Sequence, residues 1–182
     1  MKATVTINHD VNHEKLEDSI QSRLLKHIDE YPGIRYRELL RLTDLVNGVL
    51  TYHLSLLERS TQIRVNRSKA KTTRYYPINI PTEESEVIGY IRNEPVRRII
   101  SFILEHNICT FNEIVDHTNK APSTISWHLK KLKDAGIISV QYGQYQLYRL
   151  TNREVVAEIL YKYRGSFVEQ VVNNYTEIME EL

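Results

Sequence analysis

Cysteine is almost absent from this chain, which carries Cys109 alone. One thiol excludes an internal disulfide, a zinc ribbon and a thiolate-pair sensor, and it suits a reducing cytosol. Long apolar runs are missing as well. The opening MKATVTINHD lacks the apolar stretch of a signal peptide, and the longest run, around Ile99 to Leu104, is far too short to span a bilayer. A soluble cytoplasmic protein with no membrane partner is expected. Six Gly and five Pro leave little room for long loops. Neither sign of charge dominates, with 24 Lys plus Arg against 23 Asp plus Glu for a net charge of +1. No nucleophile, base and orienting group recur at a catalytic spacing, and no phosphate-binding glycine loop occurs, so neither enzyme activity nor a cofactor or metal is expected. Tyrosine is what the chain has in plenty, twelve among 182 residues.

Sliding the sequence against itself reveals an internal repeat. At an offset of 75 residues, Arg23 to Val65 aligns without a gap on Arg98 to Val140, and ten of the 43 positions are identical. The identities include Glu38 with Glu113, Thr43 with Thr118, His53 with His128, Leu54 with Leu129 and Leu57 with Leu132. Conservative pairs fill the apolar positions, among them Leu24 with Ile99, Leu50 with Ile125 and Tyr52 with Trp127. Agreement concentrated on the buried periodicity means two copies of one fold.

Each copy reads as a helix, a short helix, a turn, a third helix and a hairpin. Leu16, Ile20, Leu24 and Ile28 mark the first helix, which Pro32 and Gly33 stop. The short helix runs from about Tyr36 to Thr43, and its counterpart opens on a capping box, Thr110 with Glu113. Pro122 suits the first turn of the third helix of copy two. Hairpins are expected at Ile63 to Asn66 with Thr72 to Ile78, and at Ile137 to Gln141 with Tyr145 to Leu150. The expected fold is therefore mainly α with small β-hairpin wings (α+β), two tandem winged-helix domains plus C-terminal helices. The expected divisions are an N-terminal extension over 1–12, winged helices over 13–80 and 95–150, a connecting helix over 81–94 and C-terminal helices over 151–182. Capping boxes at Thr151 with Glu154 and at Ser166 with Glu169 predict two terminal helices meeting at Gly165. Val168, Val171, Tyr175, Ile178 and Leu182 then alternate by three and four, a coiled-coil seam that predicts a homodimer.

Charge by segment says more than the total. Residues 19–80 hold eleven basic against five acidic side chains and residues 95–150 hold seven against four, while the connectors and both termini are net acidic. Two basic lobes fit a polyanionic partner. On the third helix of copy two, Ile125, Leu129 and Leu132 make the core stripe, which turns Ser123, Trp127 and Lys130 outward with Thr124 and Lys131 beside them. These are candidate contacts to double-stranded DNA. In copy one the same projection turns out Gly48, Tyr52 and Ser55, and the basic residues move to the wing, at Arg67, Lys69, Lys71 and Arg74, as candidate phosphate contacts. His53 and His128 fall beside the core stripes and are expected to pack. The uncharged face around Val49, Tyr52 and Leu56 supports a rival reading, a scaffold that binds partner proteins.

The stretch APSTISWHLKKLKDAGII from Ala121, and its weaker echo LVNGVLTYHLSLLERSTQI from Leu45, resemble the recognition-helix signature of ArsR-like winged-helix transcriptional regulators. The paired arrangement resembles the tandem winged-helix regulators of archaea. The resemblance covers residues 20–150 and implies sequence-specific DNA binding through the third helix and wing, usually as a homodimer on a pseudo-palindromic operator. The contacting positions it implies are Ser123, Thr124, Trp127 and Lys130. The paired cysteines of that family's metal sensors have no match here, since Cys109 stands alone. Copy one departs from the signature in having Ser60 and Thr61 where copy two has Ala135 and Gly136.

Overall fold

The computed structural model describes residues 8–67 and 73–167, with side chains from residue 19 onward. The chain divides into two compact units, the first ending at Pro81 and the second beginning at Thr82.

The first unit contains α1 (Asn8–Glu30), β1 (Ile34–Arg35), α2 (Tyr36–Thr43), α3 (Asn47–Arg59), β2 (Ile63–Asn66) and β3 (Arg74–Pro77). After α1, Gly33 takes a positive φ of 78° and its N–H donates to Tyr75 O at 2.8 Å, which leads the chain into the sheet. The strand order is β1-β3-β2, all antiparallel, with Ile34 opposite Tyr75 and Val65 opposite the same tyrosine from the other side. Leu24 and Ile28 of α1, Leu39 of α2, Leu50, Leu54 and Leu57 of α3, and Ile63 and Tyr75 of the sheet form one core. At about 25 cal/mol per Å² of apolar surface, burying these stripes is the main force holding the three helices to the sheet.

The second unit opens with α4 (Thr82–Ile91) and then repeats the order with α5 (Glu94–His106), β4 (Cys109–Thr110), α6 (Phe111–Thr118), α7 (Pro122–Asp134), β5 (Ile138–Gln141) and β6 (Leu147–Leu150), ending in α8 (Arg153–Lys162). Its sheet follows the order β4-β6-β5, again antiparallel. The fold is mainly helical, with a small three-stranded sheet in each unit. The two-residue strands β1 and β4 went unseen in the sequence because a pair of residues carries no periodicity.

Matched residues in the two units do matched work. Thr43 and Thr118 are buried and each donates its hydroxyl to the carbonyl four residues back, Leu39 O at 2.7 Å and Ile114 O at 2.8 Å. Asp44 and Asn119 both end their helices at left-handed backbone angles, φ 53° and 52°. The capping box of α6 is present: Thr110 N–H donates to the Glu113 carboxylate at 2.7 Å, and Glu113 N–H donates to the Thr110 hydroxyl at 3.4 Å.

The helix expected as a connector, α4, is part of the second unit, where it buries Ser85, Ile88 and Ile91 and packs on α5 and α8. Two capping expectations are corrected. Thr151 N–H donates to Ile137 O at 3.0 Å, extending the sheet edge, so the cap of α8 falls one residue later, where Asn152 Oδ1 accepts from Val155 N–H at 3.2 Å. Nor does Ser166 start a helix: residues 164–167 are already helical after a turn at Tyr163, and the Ser166 hydroxyl donates back to Tyr163 O at 2.8 Å. Ser166 is instead held by Arg92, whose Nη1 donates to Ser166 O at 2.9 Å, while the guanidinium carbons of Arg92 and Arg97 lie 5.2 and 5.6 Å from the Phe167 ring centre. Val168, Val171, Tyr175, Ile178 and Leu182 lie outside the described residues.

Candidate nucleic-acid interface

Helix α7 begins where Ala121 O accepts from Ile125 N–H at 3.1 Å and where Pro122 occupies a position that requires no amide hydrogen. It buries Ile125, His128, Leu129 and Leu132 and leaves Ser123, Thr124, Trp127 and Lys130 exposed. Lys131 is half-buried, and its ammonium lies over the Trp127 ring, 3.4 Å from the centre. Trp127 is 54% exposed and meets the buried His128 ring edge-on, at 4.8 Å and 74°. Burial first, and the Lys131 ammonium second, hold the His128 imidazole below its ordinary range. Gly136, at φ 70°, then turns the chain into β5.

The second wing differs from a charged clamp. Residues 141–146 at its tip are all exposed, and Tyr142 and Tyr145 are the large apolar groups among them. The tip is tied to α7 where Lys133 Nζ donates to the Tyr142 hydroxyl at 2.8 Å. Arg149 is turned along the hairpin, donating to Gln141 Oε1 at 2.6 Å.

Helix α3 reproduces the α7 frame with different chemistry on its outer side. His53 is buried like His128 and meets the Tyr52 ring edge-on at 5.1 Å and 78°. Tyr52 is exposed, and Ser55 is half-buried with its hydroxyl donating to Thr51 O at 2.8 Å. The Tyr36 hydroxyl, which Phe111 lacks in the second unit, donates to Asn47 O at 2.9 Å and pins α2 to the start of α3.

The basic wing of the first unit splits into three. Lys69 and Lys71 lie outside the described residues. Arg67 is exposed and grips the Glu58 carboxylate of α3 with both terminal nitrogens, which pulls the Glu58 carboxyl below its usual range. Arg74 is corrected: it points inward rather than toward a phosphate. Its Nη1 donates to Gly33 O at 2.6 Å across the β1–β3 pair, and burial lowers its pKa. A basic residue on a strand next to a charged loop reads as part of that loop, but β3 is the central strand of its sheet and all four of its residues, Arg74 included, are buried. Sequence reading also passed over Arg35 and Arg37, exposed where β1 meets α2. Their signal was available in the repeat, since Thr110 and Asn112 stand at the matched positions.

Cys109 is buried, and burial with the Glu113 charge pushes its thiol up to about 11, leaving it protonated and unreactive at neutral pH. Among the described residues no group of three or more His, Cys, Asp or Glu is placed to hold a metal ion, and no helix is long and apolar enough to cross a membrane.

The chain is 25% identical over 123 residues to an uncharacterised HTH-type transcriptional regulator of Methanocaldococcus jannaschii, a match covering 68% of this chain and 31% of that protein. The chain thus spans about a third of that relative's length. Among solved structures, HlyU from Vibrio cholerae aligns over 44% of this chain and 89% of its own, with 25% identity and a TM-score of 0.39. The transcriptional repressor PagR of Bacillus anthracis aligns over 42% and 88%, with 19% identity and a TM-score of 0.38. Residues 94–140, from the start of α5 into β5, match the arsR family of bacterial regulatory proteins.

Proposed function

We propose that this chain is a DNA-binding transcriptional regulator of the tandem ArsR-like type, acting in the cytoplasm as a homodimer. The observation that carries the reading is the outer side of α7, where exposed Ser123, Thr124, Trp127 and Lys130 sit on a helix whose opposite side is locked into the core. This helix lies wholly within the segment that matches the arsR family. Short hydroxyl side chains near its amino end and lysines further along suit base edges and flanking phosphates of a major groove.

In this reading the first unit contributes affinity more than sequence discrimination. Tyr52 and Ser55 contact the groove or sugars, and Lys69 and Lys71 of the wing meet phosphate. Arg67 braces the wing through Glu58. Arg74 has no part in binding. The homodimer forms through the seam of Val168, Val171, Tyr175, Ile178 and Leu182, and pairs the α7 helices on a pseudo-palindromic site.

Replacing Lys130 and Lys131 together with alanine tests the assignment. The double variant should bind a selected duplex at least about tenfold more weakly, with an unaltered thermal melt, as two lost phosphate contacts require. Unchanged affinity would remove α7 from the interface.

A further inference from the structure

The wing of the second unit is not a copy of the first. Its tip, residues 141–146, carries no charged side chain, and it displays Tyr142 at 64% and Tyr145 at 67% exposure. A phosphate clamp needs cations, and this hairpin has none at its end. Trp127 of α7 is a third exposed aromatic ring, and Lys133 of the same helix bonds to the tip at Tyr142.

Two of those rings are paired with an ammonium group. Lys131 Nζ lies 3.4 Å from the Trp127 ring centre, and Lys133 Nζ lies 5.3 Å from the Tyr142 ring centre and 2.8 Å from its hydroxyl. At Tyr142 the ammonium stands at the ring edge, beyond the hydroxyl, so a flat π surface has a cation beside it, the complement of a flat base with a phosphate beside it, whereas at Trp127 the ammonium lies on one face of the ring. The first unit lacks both pairs. Leu56 stands where Lys131 does, and Glu58, already gripped by Arg67, stands where Lys133 does.

A closed duplex does not satisfy such rings. Its base faces are stacked on one another, and its grooves show only edges. The face of an indole or phenol finds a base face only where a base has left the stack, or where a ring enters an opened step.

We infer that the aromatic and lysine pairs of the second unit hold unstacked nucleotides, so that the protein binds DNA containing unpaired bases more tightly than the same DNA fully paired. The inference rests on the DNA-binding reading above and adds to it a preferred state of the DNA.

Trp127 is the sole tryptophan, so its emission reports on the site directly. The full chain is titrated with a duplex, with the same duplex carrying a short central run of mismatched pairs, and with a strand of oligothymidylate. The mismatched duplex should bind about tenfold more tightly than the paired one, and both it and the oligothymidylate should quench Trp127 more deeply than the paired duplex does. The Tyr142→Ala/Tyr145→Ala variant should lose that preference, and the ring-retaining Tyr142→Phe/Tyr145→Phe variant should keep it. Equal affinity for the two duplexes, or a preference that survives alanine at both tyrosines, overturns the inference and leaves the DNA-binding reading standing. Failure to bind any of the three DNAs overturns both.

Discussion

Arg67 and Arg74 stand seven positions apart in the most basic stretch of the chain, and burial gives them different work. Arg67 is exposed and braces the wing against α3, whereas Arg74 is buried and donates to Gly33 O. Arg74→Ala should therefore cost about 1–3 kcal/mol of stability, because it strands a buried carbonyl, while the salt dependence of DNA binding stays as it was. A shallower salt dependence with an unchanged melt would return Arg74 to the interface. His128, on the buried side of α7, makes a second residue-scale test. Because the folded value of His128 lies below its ordinary 6.5, the unfolded chain takes up the proton more readily. Its contribution is whole above that pH and is lost as the pH falls below it. Unfolding followed by Trp127 emission should show stability declining from about pH 7 to 5, and His128→Gln should flatten that part of the decline. The repeat pairing had marked both histidines as packing residues, because identical positions beside a core stripe imply a shared internal role. It held no information on Arg74, since the strand pairing puts Leu147, opposite Thr110, at the matched place in the second unit, where Arg74 stands opposite Arg35.

Among the elements, the helices were legible and the small connections were not. Apolar spacing located α2 and α3, and Thr110 with Glu113 and Pro122 fixed where α6 and α7 begin, because each cue acts within one turn. Cues that depend on distant partners misled. Thr151 looked like a cap until the sheet claimed its amide, and Ser166 looked like one until Arg92 held its carbonyl. The turn after the third helix shows how one shape accepts two sequences. Gly136 takes φ 70° without strain, and Thr61 takes φ 56° at the matched position despite a branched side chain. The placement of Ser166 and Phe167 also sets where the chain can be cut. Removing residues 168–182 should give monomers by light scattering with the melt of the second unit retained. A cut that also removes Ser166 and Phe167 should lower that melt, since both are buried under Arg92 and Arg97. A dimer that persists after removal of 168–182 would contradict the proposed seam.

On the scale of the whole molecule, a net charge near zero conceals two basic segments, residues 19–80 and 95–150, separated and flanked by acidic ones. The shared element order of the two units was legible because both bury the same stripe, Leu50, Leu54 and Leu57 in one and Ile125, Leu129 and Leu132 in the other. The assignment of α4 to the second unit was not, because Val87, Ile88 and Ile91 announce a buried face without naming what covers it. Charge placement suggests a division of labour between a lysine-bearing helix in one unit and a basic wing in the other, and the burial of Arg74 removes one residue from the wing's proposed share. The most direct test is the salt dependence of duplex binding by the intact chain. If Lys130, Lys131, Lys69 and Lys71 each neutralise a phosphate, the logarithm of the affinity should fall against the logarithm of salt with a slope of about −3 to −4 per chain. An affinity that does not change with salt would contradict the account and direct attention to the uncharged face around Tyr52 as a surface for another protein.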